Sequence, residues 1–162
     1  MPSADAFQQL VSEIDYPMFV VTTVAGATRG GCLVGFVTQA SLKPSRLLVC
    51  LSKANATFTV AAAAEALAVH FLGEGDVELA RLFGEETGDD VDKFARCDWR
   101  EGPQRLPVLP TKGWVGAAIL TRTDNGDHVG FLVEPFAGEV VRPGEAQLSF
   151  QEVRDLRPGH PV

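Results

Sequence analysis

The sequence lacks the side-chain arrangements that carry hydrolytic or metal chemistry. No Ser-His-Asp order, HExxH, CxxC or paired-carboxylate pattern occurs, so neither a protein nucleophile nor a metal-bound water is indicated. A Rossmann GxGxxG is missing too, which argues against a separate dinucleotide-binding domain. The three cysteines, Cys32, Cys50 and Cys97, are odd in number and have no metal-ligand spacing. Two of them sit in apolar runs, and all three read as reduced, small core residues. No apolar run approaches the ~18 residues that a bilayer crossing needs, and the first thirty residues show no basic segment followed by an apolar one. The expectation is no membrane contact and a cytoplasmic location. Positive charge is scarce and scattered, with 14 Lys and Arg against 21 Asp and Glu for a net −7. Without a basic run to follow a phosphate backbone, nucleic acid is an unsuitable partner.

What the chain does have is 46% hydrophobic residues over 162 positions, enough for one continuous core. A single domain over 1–162 is expected, with its core at about 10–141 and a tail from about 143 to 162 that is partly ordered at best. Internal repeats and low-complexity segments are absent.

Asp5 suits the cap of a first helix with Phe7, Leu10, Val11 and Ile14 on one face, stopped by Tyr16-Pro17. Residues 18–24, 27–37 and 46–51 then read as strands separated by Gly26 and Lys43-Pro44-Ser45. Asn55-Ala56-Thr57-Phe58 opens a capped, alanine-rich helix ending near Glu65, and 67–72 returns to strand. Asp76 suits the cap of a third short helix through Leu79, Leu82 and Phe83, with Gly84 at its C′ position. An acidic loop over 85–92 and a breaker-rich connection over 98–110 follow. Two long strands, 114–123 and 127–141, flank Asn125-Gly126, a dipeptide favoured in type I′ hairpin turns. About six strands and three short helices, joined mostly as hairpins, predict a mainly β fold: a closed or nearly closed antiparallel barrel, not a βαβ sheet.

Two local patterns point to chemistry. Lys53, Asn55 and Thr57 at a helix N-terminus combine free N–H groups, a cation and polar side chains, which suits an anion such as a mononucleotide phosphate. The same residues also read as an ordinary helix cap beside a solvated lysine. His128 on a strand is able to hold a substrate amide or lend a proton, or to be satisfied by a neighbouring backbone group. His70, inside an apolar strand, reads as a core or interface histidine, and Trp99 and Trp114 as core or dimer-contact residues.

The order of four segments resembles the flavin reductase family, whose fold is the FMN-binding split β-barrel, antiparallel and Greek-key-like. They are Gly31 to Pro44, Ser52-Lys53-Ala54-Asn55-Ala56-Thr57, Phe83 to Gly88 with Asp92-Lys93-Phe94, and Gly126-Asp127-His128. The resemblance spans about 10–141. It implies that Phe36, Val37, Thr38, Gln39 and Ser41 lie beside the isoalloxazine. Ser52, Lys53, Ala54, Asn55 and Thr57 would hold the flavin phosphate, while Thr87 and Lys93 would cross near the cofactor. His128 is then the catalytic-site residue, where nicotinamide stacks on flavin. A cation such as Lys93 near the pyrimidine end would offset the charge of reduced flavin. A lysine there could equally pair with Glu85, Glu86, Asp89, Asp90 or Asp92. Where many members carry Thr-x-Asn-Ser-Phe, this chain has Leu33 to Val37, so backbone groups must replace hydroxyl contacts.

The implied activity is hydride transfer from NADH or NADPH to bound or exchangeable FMN, with FAD possible, in a homodimer that supplies a monooxygenase. The alternative is a split-barrel flavin or haem binder used for storage, sensing or electron relay. A pyridoxamine-type oxidase fits less well, because the arginines are dispersed.

Overall fold

The computed structural model describes residues 3–85 and 92–156. Helix α1 (Ser3–Ser12) leads into β1 (Phe19–Ala25), β2 (Thr28–Val34), β3 (Val37–Ser41) and β4 (Arg46–Ser52). Then come α2 (Ala56–Ala62), β5 (Ala66–Phe71) and α3 (Val77–Glu85). The short strands β6 (Arg100–Glu101) and β7 (Pro107–Val108) precede the long pair β8 (Gly113–Asp124) and β9 (His128–Val140), and α4 (Phe150–Val153) closes the described chain.

Seven strands form one sheet in the order β2-β1-β5-β8-β9-β4-β3, with antiparallel pairing throughout. Its two edge strands, β2 and β3, are consecutive in the chain and joined by Gly35 and Phe36 alone. A two-residue link spans at most about 10 Å, so the sheet curls until its edges meet there. The result is a barrel split along one seam, without a β2–β3 ladder among the described residues. The strand expected over 27–37 is therefore two: it breaks at Gly35-Phe36 and resumes as β3, which pairs with β4.

The curl encloses Val21, Val49, Leu67, Val69, Phe131 and Val133, all fully buried. A second apolar cluster, outside the curl, joins Val20, Leu72, Phe83, Leu109, Leu148 and Val153. Leu148 and Val153 belong to the segment expected as a loose tail. Instead, Met18 N–H donates to Leu148 O at 2.8 Å and Leu148 N–H to Leu72 O at 3.0 Å, while α4 packs on the same cluster. The cost of ordering this segment is met by burying two branched aliphatic side chains.

Three further expectations change. Gly84 lies inside α3, not at its C′ position, and a Cβ there would stand 2.7 Å from Leu33 Cδ2, so its role is close approach of helix to sheet. Gly126 has φ +129° while Asn125 keeps a negative φ, so the hairpin turn is not type I′. The breaker-rich connection holds a small ladder, β6 to β7. On α1, Phe7 and Leu10 are 62% and 64% exposed, and its apolar stripe faces outward in the single chain.

Candidate functional site

At the seam, Tyr16, Met18, Cys32, Phe36, Cys50, Ser52, Asn55, His128 and Phe150 line an open cleft of about 190 Å³. Gly35 makes it possible: a Cβ at that position would run into the Tyr16 ring. Tyr16 stacks on Phe150 with ring centroids 4.8 Å apart and planes 16° from parallel. Phe36 then leans between Tyr16 at 6.4 Å and His128 at 5.1 Å, and is 54% exposed. A phenyl ring held half in water at a cleft rim is a platform for a planar ligand.

His128 opens β9 directly opposite Ser52, the last residue of β4. Its Nδ1 lies 2.7 Å from Asp127 Oδ1. That hydrogen bond, more than the imidazole's charge, holds the Asp127 carboxyl below the usual carboxylate range. A carboxylate only accepts, so Nδ1 carries the proton and Nε2 is the ring's other hydrogen-bonding atom.

The Ser52–Thr57 element meets the cleft in part. Ser52 Oγ accepts from Ala54 N–H at 3.3 Å, and Asn55 Oδ1 caps α2 by accepting from Thr57 N–H at 2.9 Å, as a cap should. Thr57 is buried beneath the sheet, in hydrogen-bonding contact with Cys32, whose thiol is pushed up to about 11 chiefly by burial. The Lys53 ammonium donates to Asp124 Oδ2 at 2.8 Å, on the turn that carries His128. This bond is the main reason the Asp124 carboxyl lies below its ordinary value.

Val37, Thr38 and Gln39 of β3 line a neighbouring cleft of about 570 Å³ at the barrel mouth, walled by Phe19, Leu47, Phe71 and Val115. Tyr16 borders both clefts. Ser41 lies beyond, opposite Arg46 past an irregularity in the β3–β4 register. The structure thus brings Phe36, Ser52, Asn55 and His128 together and sets Val37, Thr38 and Gln39 next to them. Lys93 lies apart, buried, with Nζ donating to Gly31 O and Phe83 O at 3.1 Å each. Thr87 lies outside the described residues, as do Glu86, Asp89 and Asp90.

His70 is fully buried and not part of the cleft. Its Nδ1 donates to Val20 O at 2.9 Å and its Nε2 accepts from Leu109 N–H at 3.0 Å. Burial pulls it from 6.5 to about 4. Trp99 packs with Phe94 under the Arg29 guanidinium, and Trp114 donates to Glu139, so neither ring reaches the cleft. Among the described residues there is no cluster of three metal-ligating side chains and no helix long and apolar enough to cross a membrane.

Sequence reasoning missed Tyr16, Gly35 and Phe150. Tyr16-Pro17 reads as a helix stop and nothing more. The Ser149–Glu152 capping box did carry a usable signal that a helix begins at Phe150, within the supposed tail.

Comparison with known proteins adds an independent line. The FMN reductase (NADH) of Methylorubrum extorquens is 32% identical over 106 residues, covering 65% of this chain, and the chain spans about half (51%) of that protein's length. The reductase component of 4-hydroxyphenylacetate 3-monooxygenase from Pseudomonas aeruginosa is 31% identical over 151 residues, covering 92% of this chain and 89% of its own. Among solved structures, the NADH:FAD oxidoreductase of Streptomyces globisporus in complex with NAD and FAD fragments superposes with a TM-score of 0.78 at 25% identity, covering 91% of this chain and 87% of that one. The family model described as the flavin reductase like domain matches residues 11–157, from the end of α1 past α4. With that span and this fold, the chain belongs to the flavin reductase-like domain family.

Proposed function

We propose that the protein is an NAD(P)H-dependent flavin reductase that passes hydride from NADH or NADPH to FMN, with FAD as the alternative flavin. The observation that carries the reading is the seam cleft, where the Phe36 platform, His128, Ser52 and Asn55 converge inside the stretch matched by the family. The donor set suits a flavin. Aromatic rings of Tyr16, Phe36 and Phe150 offer a wall to a flat tricycle, and hydroxyl, amide and imidazole groups lie along one rim. The cleft is smaller than the ~300–1,000 Å³ of pockets that enclose a whole drug-sized ligand. A flavin mononucleotide would be held in part there and in part along Val37, Thr38 and Gln39, which border the adjoining mouth, with Ser41 beyond them on the same strand.

Flavin supplies the hydride-accepting chemistry when bound. This chain's residues align and desolvate. Phe36 presents a ring face, Ser52, Ala54 and Asn55 offer hydrogen bonds at the α2 end, and His128 Nε2 is available to the nicotinamide carboxamide. The relative named as a monooxygenase component supports an oxygenase as the consumer of the reduced flavin. A homodimer is part of the proposal, supported by the outward apolar stripe of α1, which a second copy would cover. The three free cysteines suit the reducing conditions of a cytoplasm. A single folding unit is part of the proposal too, supported among the described residues by the way Leu148 and Val153 complete the second core cluster.

The test is anaerobic: add FMN, then NADH and NADPH in turn, and follow the flavin band near its visible maximum. Bleaching with either nucleotide is expected. A flavin that binds but stays oxidised would favour the storage, sensing or relay reading, and failure to bind flavin would overturn both.

A further inference from the structure

The turn that carries His128 into the cleft is gripped from outside by one residue. Lys53 N–H donates to Asp127 O at 2.9 Å, and Lys53 Nζ donates to Asp124 Oδ2 at 2.8 Å, so both ends of the turn are bound. Inside the turn, Gly126 N–H donates to Asp124 Oδ1 at 3.0 Å and Asn125 N–H to His128 O at 2.9 Å. The Asp124 carboxylate therefore joins the turn's own amide to the external lysine. Asp127, next along, holds His128 Nδ1 at 2.7 Å. Ser52, the cross-strand partner of His128, immediately precedes Lys53, so the grip and the cleft wall are adjacent residues of one strand end.

We propose that Lys53 and Asp127 are positioning residues for His128: Lys53 pins the 124–127 turn to the end of β4 through Asp124, and Asp127 fixes the imidazole proton on Nδ1 so that Nε2 meets the nicotinamide nucleotide. The role of Nε2 rests on the flavin reductase reading of the cleft. Lys53 then acts on nucleotide binding through the turn and does not contact the flavin phosphate. Both partners are exposed and worth little as isolated ion pairs, so the effect is on geometry and is modest in size.

Two sets of measurements test this. In the ligand-free protein, well above the histidine titration range, imidazole nitrogen-15 shifts of His128 report which ring nitrogen holds the proton. The signal is assigned by its loss in His128→Asn. The Nδ1–H form is expected to dominate, and Asp127→Ala to populate the Nε2–H form; equal populations in both proteins would overturn the part given to Asp127. Amide exchange at Asn125 is expected to quicken in Lys53→Met and in Asp124→Asn, and an unchanged rate would overturn the pin.

In turnover, both of those variants are expected to raise the KM for the nicotinamide nucleotide by about two- to fivefold, with kcat and the affinities for FMN and riboflavin unchanged. The double variant should be no worse than either single one. Weakened FMN but not riboflavin binding in Lys53→Met, with Asp124→Asn silent, would put the ammonium on the phosphate and overturn the proposal. Absence of turnover in the unaltered protein would sink the reductase reading alone, because the ligand-free shifts and exchange rates decide the pin without it.

Discussion

Acidification should unfold this protein partly through one residue remote from the cleft. His70 uses both ring nitrogens on main-chain groups, donating from Nδ1 to Val20 O and accepting at Nε2 from Leu109 N–H. Only the neutral ring does both, since a proton on Nε2 would face the Leu109 donor. The site is fully buried, and its value falls from 6.5 to about 4. Between those two values the unfolded chain binds a proton that the folded one does not, so stability declines as pH drops through that window and is unaffected above it. The full difference corresponds to ~3 kcal/mol, of which ~2 kcal/mol is lost by pH 5. Urea unfolding at pH 7 and pH 5 measures it, with His70→Gln as control. The glutamine amide keeps a donor for Val20 O and an acceptor for Leu109 N–H but does not titrate, and subtraction removes the contributions of other groups. The variant should lose ~2 kcal/mol less than the parent over this interval. Equal losses in the two proteins would refute the account.

Gly35→Ala places a methyl group against the Tyr16 ring; a loss of ~1–3 kcal/mol by chemical denaturation is expected, with weaker flavin binding because the stacked wall shifts. Phe36→Ala removes a ring that is more than half exposed, so its thermal midpoint should barely move while flavin affinity drops up to about tenfold, as loss of one aromatic contact implies. Leu148→Ala opens a hole in the second core cluster and should cost ~2–5 kcal/mol, a value incompatible with a loosely attached tail.

Strands with alternating or continuous apolar runs are legible because their pattern is local: 46–51 and 67–72 read as strands from their own residues and are β4 and β5, though of the two only β5 is buried along nearly its whole length, β4 being buried at Val49 and Leu51 alone. The cap at Asn55 was legible for the same reason. What could not be read is what depends on encounters far apart in sequence. The glycine at position 35 is required by Tyr16, nineteen positions earlier, and Gly84 is needed by Leu33 rather than by its own helix end. Lys53 reads as an anion ligand or a solvated charge, and residue type alone does not reveal that Asp124, 71 positions away, meets its ammonium. Phe36 and His128 were singled out from the resemblance, but only the fold shows their rings 5.1 Å apart.

The seam has a mechanical consequence. Opening it strains the two-residue link, while the ladders from β2 through β3 stay intact. Elsewhere around the barrel, parting two neighbouring strands would sacrifice a whole row of main-chain hydrogen bonds. Compliance is therefore concentrated where the cleft lies, and a guest thicker than the resting gap can wedge in by displacing side chains while the rest of the wall stays rigid.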